Sequence, residues 1–205
     1  MKGCIGRLFA RASFSSVVGP PPSMTRRLPK ERRFKRHVFV SMPSALTSRQ
    51  KDLVDALYEE LDRRRLYART IGVTDFGTKS PLALVRRTMA KCHGALILGL
   101  IQGRIDTGTS KPGTKKRRPL RSSTFPTPWN QLEAGIAYAM DLPLMIVKEV
   151  GICGGIFDPG AVGDHFVHSV DLGTSRTWRT AELKSSLDEW NAEVICHAQT
   201  TAHRR

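Results

Sequence analysis

Apolar positions along this chain follow two alternating rhythms. His37-Val38-Phe39-Val40-Ser41-Met42-Pro43 is a short apolar run that stops at a proline, which predicts a buried strand. Over residues 47–66 the period changes. Leu53, Leu57 and Leu61 recur every four positions, Val54 and Tyr58 flank them, and charges fill the other face, as in an amphipathic helix. Tyr67 to Val73 predicts a weaker strand, closed by Thr74-Asp75-Phe76-Gly77. Ser80-Pro81 opens a second helix with a capping serine and a proline in the first turn. Leu82, Val85 and Met89 are expected to point inward from it, and Arg86, Arg87 and Lys91 outward. Gly94 to Ile101 is the most apolar run and has no polar alternation, so it predicts a central strand covered on both faces.

Residues 103–127 lose this periodicity and fill with Gly, Pro, Ser, Thr and basic residues, which predicts a long functional or disordered loop. A helix is expected from Trp129 to Ala139, with Thr127 as N-cap and Pro128 at its first position. Leu144-Met145-Ile146-Val147 predicts the next strand, and Gly151 to Gly163 a glycine-rich loop. Phe166 to Leu172 alternates like an edge strand, and residues 178–197 form an amphipathic helix built on Trp178, Leu183, Leu187, Trp190 and Val194.

Strands alternating with helices imply a parallel sheet with right-handed crossovers. Five strands predict a flavodoxin-like three-layer α/β fold. In such sheets ligands sit beyond the carboxyl ends of the strands, where strand order reverses. Ser41, Met42 and Pro43, Asp75 to Gly77, Gly99 to Gln102, Glu133, and Lys148 to Gly151 are all expected to converge there.

Length and charge refine this picture. The 205 residues suit one domain over 37–200, preceded by a basic tail at 1–36. The formal charge of +15 is unevenly spread: residues 1–37 carry a net +9 and residues 103–127 a net +6, so the remainder sums to zero. The excess therefore lies in a tail and a loop, with few aromatic residues set among the basic runs, and nucleic acid is not the expected partner. No stretch has the length of a membrane span. Cys4, Cys92, Cys153 and Cys196 are scattered with no Cys-x-x-Cys pair, which points to free thiols in a reducing cytoplasm. Residues 1–23 combine Arg7, Arg11 and serines with no acid. That composition is open to three readings: a targeting segment, a disordered tail, or translation starting at Met24.

The candidate chemistry is narrowed by what is missing. The Gly-x-x-x-x-Gly-Lys-Ser/Thr phosphate loop, a Gly-x-Gly-x-x-Gly after the first strand, and the Gly-x-Ser-x-Gly serine elbow are all absent. Asp164-His165 with His168 is the nearest approach to a metal cluster and falls short of one, so no metal or cofactor is expected. What remains is one acid, Glu133, among Ala134, Gly135 and Ala137, small residues that would let a ligand approach the helix closely. A carboxylate can attack an anomeric carbon, or stabilise its positive charge, while a base departs. Trp129, one turn earlier, would stack on the base, and Asn130 and Asp75 would bond ribose hydroxyls. The plainer alternatives are an exposed helix acid at Glu133, a core aromatic at Trp129 and a capping residue at Asn130.

Four segments together resemble a known superfamily: Val38 to Pro43, Cys92 to Gly99, Trp129 to Ala137, and Leu142 to Val147. They are similar to bacterial TIR-like domains and equally to the nucleoside 2-deoxyribosyltransferases. Leu132-Glu133-Ala134-Gly135-Ile136-Ala137-Tyr138-Ala139, ending at Pro143, resembles the transferase segment that holds a nucleophilic glutamate. Glu133 also suits the single glutamate of NAD-cleaving TIR domains. Ahead of it, Pro128-Trp129-Asn130-Gln131 stands where the transferases place an aspartate and a glycine-threonine pair, which tilts the resemblance toward a TIR-like hydrolase. It implies catalysis by Glu133 on NAD or a related nucleotide, as substrate rather than cofactor. Ser41, Met42, Pro43, Asp75, Gly99, Trp129 and Asn130 would line the cleft, and the basic 103–127 loop would cover it and draw in phosphates. It also implies a site of the kind that often needs homo-oligomeric assembly and, with no room here for a fused sensor, either a separate activating partner or a protein that is not a regulated defence effector. Deoxyribosyl transfer and a catalytically silent nucleotide-binding or assembly module are the alternatives.

Overall fold

Each apolar run forms a strand of one sheet, and each four-residue repeat forms a helix laid on it. The computed structural model describes residues 36–77, 80–161, 166–173, 178 and 180–203. In chain order the elements are β1 (Arg36–Ser41), α1 (Ser48–Arg63), β2 (Leu66–Arg69), α2 (Pro81–Met89), β3 (Ala95–Gly99), β4 (Gly103–Ser110), β5 (Arg118–Phe125), α3 (Pro128–Ala139), β6 (Leu144–Glu149), β7 (Val167–Val170) and α4 (Ala181–His203). A short 3-10 turn, Gly155–Phe157, lies within the glycine-rich loop.

The five-stranded sheet has the order β2-β1-β3-β6-β7 and every pairing is parallel. This is the flavodoxin-like order, with its reversal between β1 and β3. Alternation along the strands divides the core into two layers. Val38, Val40, Leu96 and Leu98 face Leu53, Leu57 and Leu61 of α1 and Trp190 and Val194 of α4. Phe39, Ala95, Ile97 and Ile146 face Val85 and Met89 of α2 and Ala134 and Ala137 of α3. β3 is buried along its whole length, as its unbroken apolar run predicts.

The carboxyl edge of the sheet is tied together by polar groups. Thr47 and Gln50 form a reciprocal capping box at the start of α1. The Gln50 amide also donates to the Ile101 carbonyl (3.1 Å) and to Glu149 Oε2 (2.9 Å), which in turn accepts from the Ile101 N–H (2.9 Å). The start of α1 is thereby pinned to the ends of β3 and β6.

Two expectations need correction. Residues 103–127 are not a loop: β4 and β5 pair antiparallel from Gly103↔Phe125 to Ser110↔Arg118. The hairpin escaped notice because residues on both of its faces meet water, so no apolar alternation marks its strands. On α2, Leu82 is half exposed and Leu84 is buried in its place. Leu84, Val85 and Thr88 continue to Met89 along the inward stripe, while Leu82 lies on the first turn at its rim.

Gly99 ends β3 beneath Phe157. A Cβ there would stand 2.5 Å from the Phe157 ring. Gly99→Ala is expected to cost about 1–3 kcal/mol by overpacking. Urea unfolding should show the loss, and Phe157→Leu should recover part of it, because the two sites share one contact.

No helix among the described residues is long and apolar enough to cross a membrane. Cys92, Cys153 and Cys196 are free thiols, and burial pushes that of Cys92 up to about 12.

Candidate functional site

α3 starts where its sequence says it should, with Thr127 at the N-cap and Pro128 in the first turn. The Thr127 hydroxyl does not cap the helix; it donates to Asn130 Oδ1 (3.2 Å). Asn130 is 1% exposed, and its amide donates to Ser41 Oγ (2.8 Å) and the Leu98 carbonyl (3.4 Å). Ser41 is also the hydrogen-bonding neighbour that favours the ionised form of Glu133. Thr127, Asn130 and Ser41 thus form a relay of hydrogen bonds beside Glu133. Each bond in such a chain polarises the next.

The relay spans the switch point. Ser41 ends β1, Leu98 lies near the end of β3, and Glu133 sits in the second turn of α3 above them. Glu133 retains 7% of its surface. Burial dominates its titration and pushes the carboxyl up to about 7, while the Ser41 hydrogen bond pulls the other way. Among the described residues no basic group contributes to the shift. A buried carboxylate without a cation is costly to ionise alone, and its cost falls when positive charge arrives beside it.

Ser41→Ala removes the donor that favours the ionised form. The apparent pKa of Glu133 is expected to rise further above 7, and the acid limb of any pH–rate profile should shift to higher pH. The same displacement should appear in stability measured against pH, whether or not turnover is followed.

The remaining expected residues separate. Trp129 is 41% exposed and one turn before Glu133, the position from which its indole can meet a bound ring. Met42 turns to the opposite layer, where its sulfur lies 3.8 Å from the Tyr58 hydroxyl; Pro43 is buried. Gly99 lies under Phe157 and is closed to a ligand.

Asp75 is held by the Arg69 guanidinium and by the Thr74 hydroxyl (2.8 Å). Burial raises its carboxyl, but those bonds outweigh burial and hold it below the ordinary range. Arg69 also reaches His37 Nδ1 (3.2 Å). That ties the group to the start of β1, about 13 Å of strand away from Ser41. Lys148 donates to the Phe157 carbonyl (2.9 Å) and braces the 3-10 turn.

The small residues of α3 serve a different purpose from the expected one. Ala134 and Ala137 face the sheet and let the helix approach β1 and β3 closely, while Gly135 faces open space. The close approach is made by the protein's own strands.

Asp164 and His165 lie outside the described residues, as does the tail before Arg36. Among the described residues no group of three His, Cys, Asp or Glu side chains is placed to hold a metal ion. Two surface grooves, one lined by Phe166, His168, Glu182 and Glu189 and the other by Arg63, Trp178, Lys184 and Asp188, do not include Glu133.

The sequence reading singled out Glu133, Ser41 and Asn130, but not the bond between the last two, which joins residues 89 apart. The pattern marks Thr127 only as a cap and Gln50 only as part of a helix, and it includes Glu149 only within the Lys148–Gly151 edge. The one local signal was an asparagine at the third helical position beside a proline start, where an amide competes for backbone or nearby donors.

No protein-family model matches this chain, and no curated protein matches it. Among solved structures it is similar to the CMP N-glycosidase BcmB of Clostridium botulinum, at 14% identity, covering 70% of this chain and 93% of that chain, with a TM-score of 0.42. A likeness of that depth carries no argument about substrate or reaction.

Proposed function

We propose that the protein cleaves the N-glycosidic bond of a nucleotide, NAD among the candidates, with Glu133 meeting the anomeric carbon. The observation that carries this reading is a buried carboxylate at the sheet's switch point, supported by a hydroxyl donor and with no basic group shifting its titration. Such a group is suited to a reaction in which positive charge develops on the substrate. In N-glycosidic cleavage the base leaves with the bonding electron pair and the sugar becomes oxocarbenium-like. Glu133 bonds to that carbon or stabilises it, and water then attacks the carbon, breaking any bond to Glu133 and releasing the phosphorylated sugar and a proton, which restores the carboxylate. NAD suits the site further because its nicotinamide is already cationic and would draw the raised carboxyl into its ionised form.

Trp129 supplies an exposed ring surface one turn away, and Asn130 acts by fixing Ser41 rather than by touching the ribose. The resemblance of the Glu133 segment to TIR-like and deoxyribosyltransferase sequences supports the same assignment.

The test is base release by the full chain from NAD, NADP, ribonucleotides and deoxynucleosides, followed by chromatography over a range of protein concentrations. Nicotinamide or nucleobase release from phosphorylated substrates supports the proposal. Base exchange confined to deoxynucleosides would move the assignment to a transferase. Binding of nucleotides without release at any concentration would leave a silent module.

A further inference from the structure

The hairpin β4–β5 carries a dense concentration of positive charge at its turn. Lys111, Lys115, Lys116, Arg117 and Arg118 lie on or beside its turn, and every residue from Lys111 to Pro119 is exposed. Asp106 is its one acid and is paired with Arg104 (2.6 Å) nearer the root, leaving the tip uncompensated.

The root is built firmly. The Phe125 ring covers Gly103, Gln102 N–H donates to the Phe125 carbonyl (3.0 Å), and the Thr124 hydroxyl donates to the Gly151 carbonyl (2.8 Å). Beyond it, Thr107 to Thr109 and the whole turn are open to water, so the ribbon stands off the body. Eight residues of strand place the tip roughly 24 Å from the root.

We propose that this hairpin is a β-ribbon arm that binds the phosphate backbone of duplex DNA. An ordered two-stranded ribbon fits the major groove of B-form DNA, roughly 12 Å wide, and does not fit the deep, narrow major groove of double-stranded RNA. The tip has no aromatic residue on which unpaired bases would stack, and no apolar side chain to enter a bilayer. The ordered hairpin replaces the loop to which the sequence pattern assigned these cations, and binding to a duplex backbone does not depend on interleaved aromatic residues. The inference stands whether or not Glu133 is catalytic.

The experiment is fluorescence anisotropy of the full chain with a labelled 20-base-pair DNA duplex, at several salt concentrations. Duplex RNA of the same sequence, single strands and phosphatidylserine vesicles serve as competitors. The variant is Lys115→Gln, Lys116→Gln, Arg117→Gln and Arg118→Gln combined. A second variant neutralises four cations of the tail: Arg26→Gln, Arg27→Gln, Arg32→Gln and Arg33→Gln.

The hairpin variant is expected to bind the DNA duplex at least about 10-fold more weakly at 100 mM salt, with the log–log salt slope smaller by roughly 3 to 4. The tail variant should change both much less, and duplex RNA and vesicles should compete poorly. Equal losses from the two variants, equal binding of all nucleic acids, or preference for vesicles would each overturn the proposal.

Discussion

Glu133→Gln is expected to lower turnover roughly 100-fold or more while leaving the protein folded, with the dissociation constant of a nucleotide whose base is uncharged little changed. The reasoning runs through the relay. Glutamine keeps the shape of glutamate and its side-chain oxygen can still accept from Ser41, so Thr127, Asn130 and Ser41 keep their partners. What disappears is the negative charge. With an uncharged base, the charge matters only when the sugar turns cationic and so contributes to the transition state and not to the bound substrate; its removal then appears in kcat rather than in binding, whereas the cationic nicotinamide of NAD adds a binding loss. Single-turnover base release, paired with direct nucleotide titration of both proteins, separates the two quantities. Equal rates in wild type and variant would remove Glu133 from the chemistry altogether. The pH profile offers an independent check. The ionised form is the active one in this mechanism, so with the carboxyl pushed up to about 7 the rate should rise with pH through that region and level off above it. A rate that instead falls through neutral pH would mark Glu133 as a proton donor.

The sheet could be read from the sequence because each of its strands leaves a local mark. Leu96, Ile97 and Leu98 have no polar neighbours between them, and Leu53, Leu57 and Leu61 repeat at the helical period. From that alternation the five parallel strands and their order of use follow. The hairpin left no such mark, because a ribbon wet on both faces is stabilised by backbone pairing, to which side-chain pattern is indifferent. The site was legible in part. Ser41 and Glu133 both fall at carboxyl ends of the expected sheet, so topology alone brings them near the switch point. Asp75, Met42 and Gly99 satisfy the same topological rule, and side-chain detail engages each of them with another part of the protein. Arg69 captures Asp75, alternation sends Met42 to the α1 layer, and Phe157 fills the space above Gly99. Topology assigns a residue to an edge of the sheet; which way its side chain turns there depends on partners distant in sequence. Ala134 and Ala137 teach the same lesson from the opposite side, since smallness signals close approach without saying whether ligand or strand makes it.

The buried carboxyl also has a cost that stability measurements should expose. In the unfolded chain Glu133 loses its proton near its ordinary value of 4.5, whereas in the folded protein it keeps it to about 7. Between those values the folded state holds one more proton than the unfolded state, so stability falls as pH rises. Below pH 4.5 both states are protonated and the group is neutral to stability; above about 7 both are ionised and the full penalty is present. At 1.36 kcal/mol per unit of pKa difference, the penalty is about 3 kcal/mol. Urea unfolding of the wild type from pH 5 to 8 should therefore show a decline that Glu133→Gln lacks, and the variant should be the more stable protein at pH 8. Histidines act in the same range: burial holds His37 and His168 below their ordinary value, so their contribution grows with pH and opposes the decline. Because both proteins carry those histidines, the difference between wild type and Glu133→Gln isolates the carboxyl. Saturating a cationic nucleotide should then shrink that difference at pH 8, since the ligand supplies the positive charge that the folded protein leaves out.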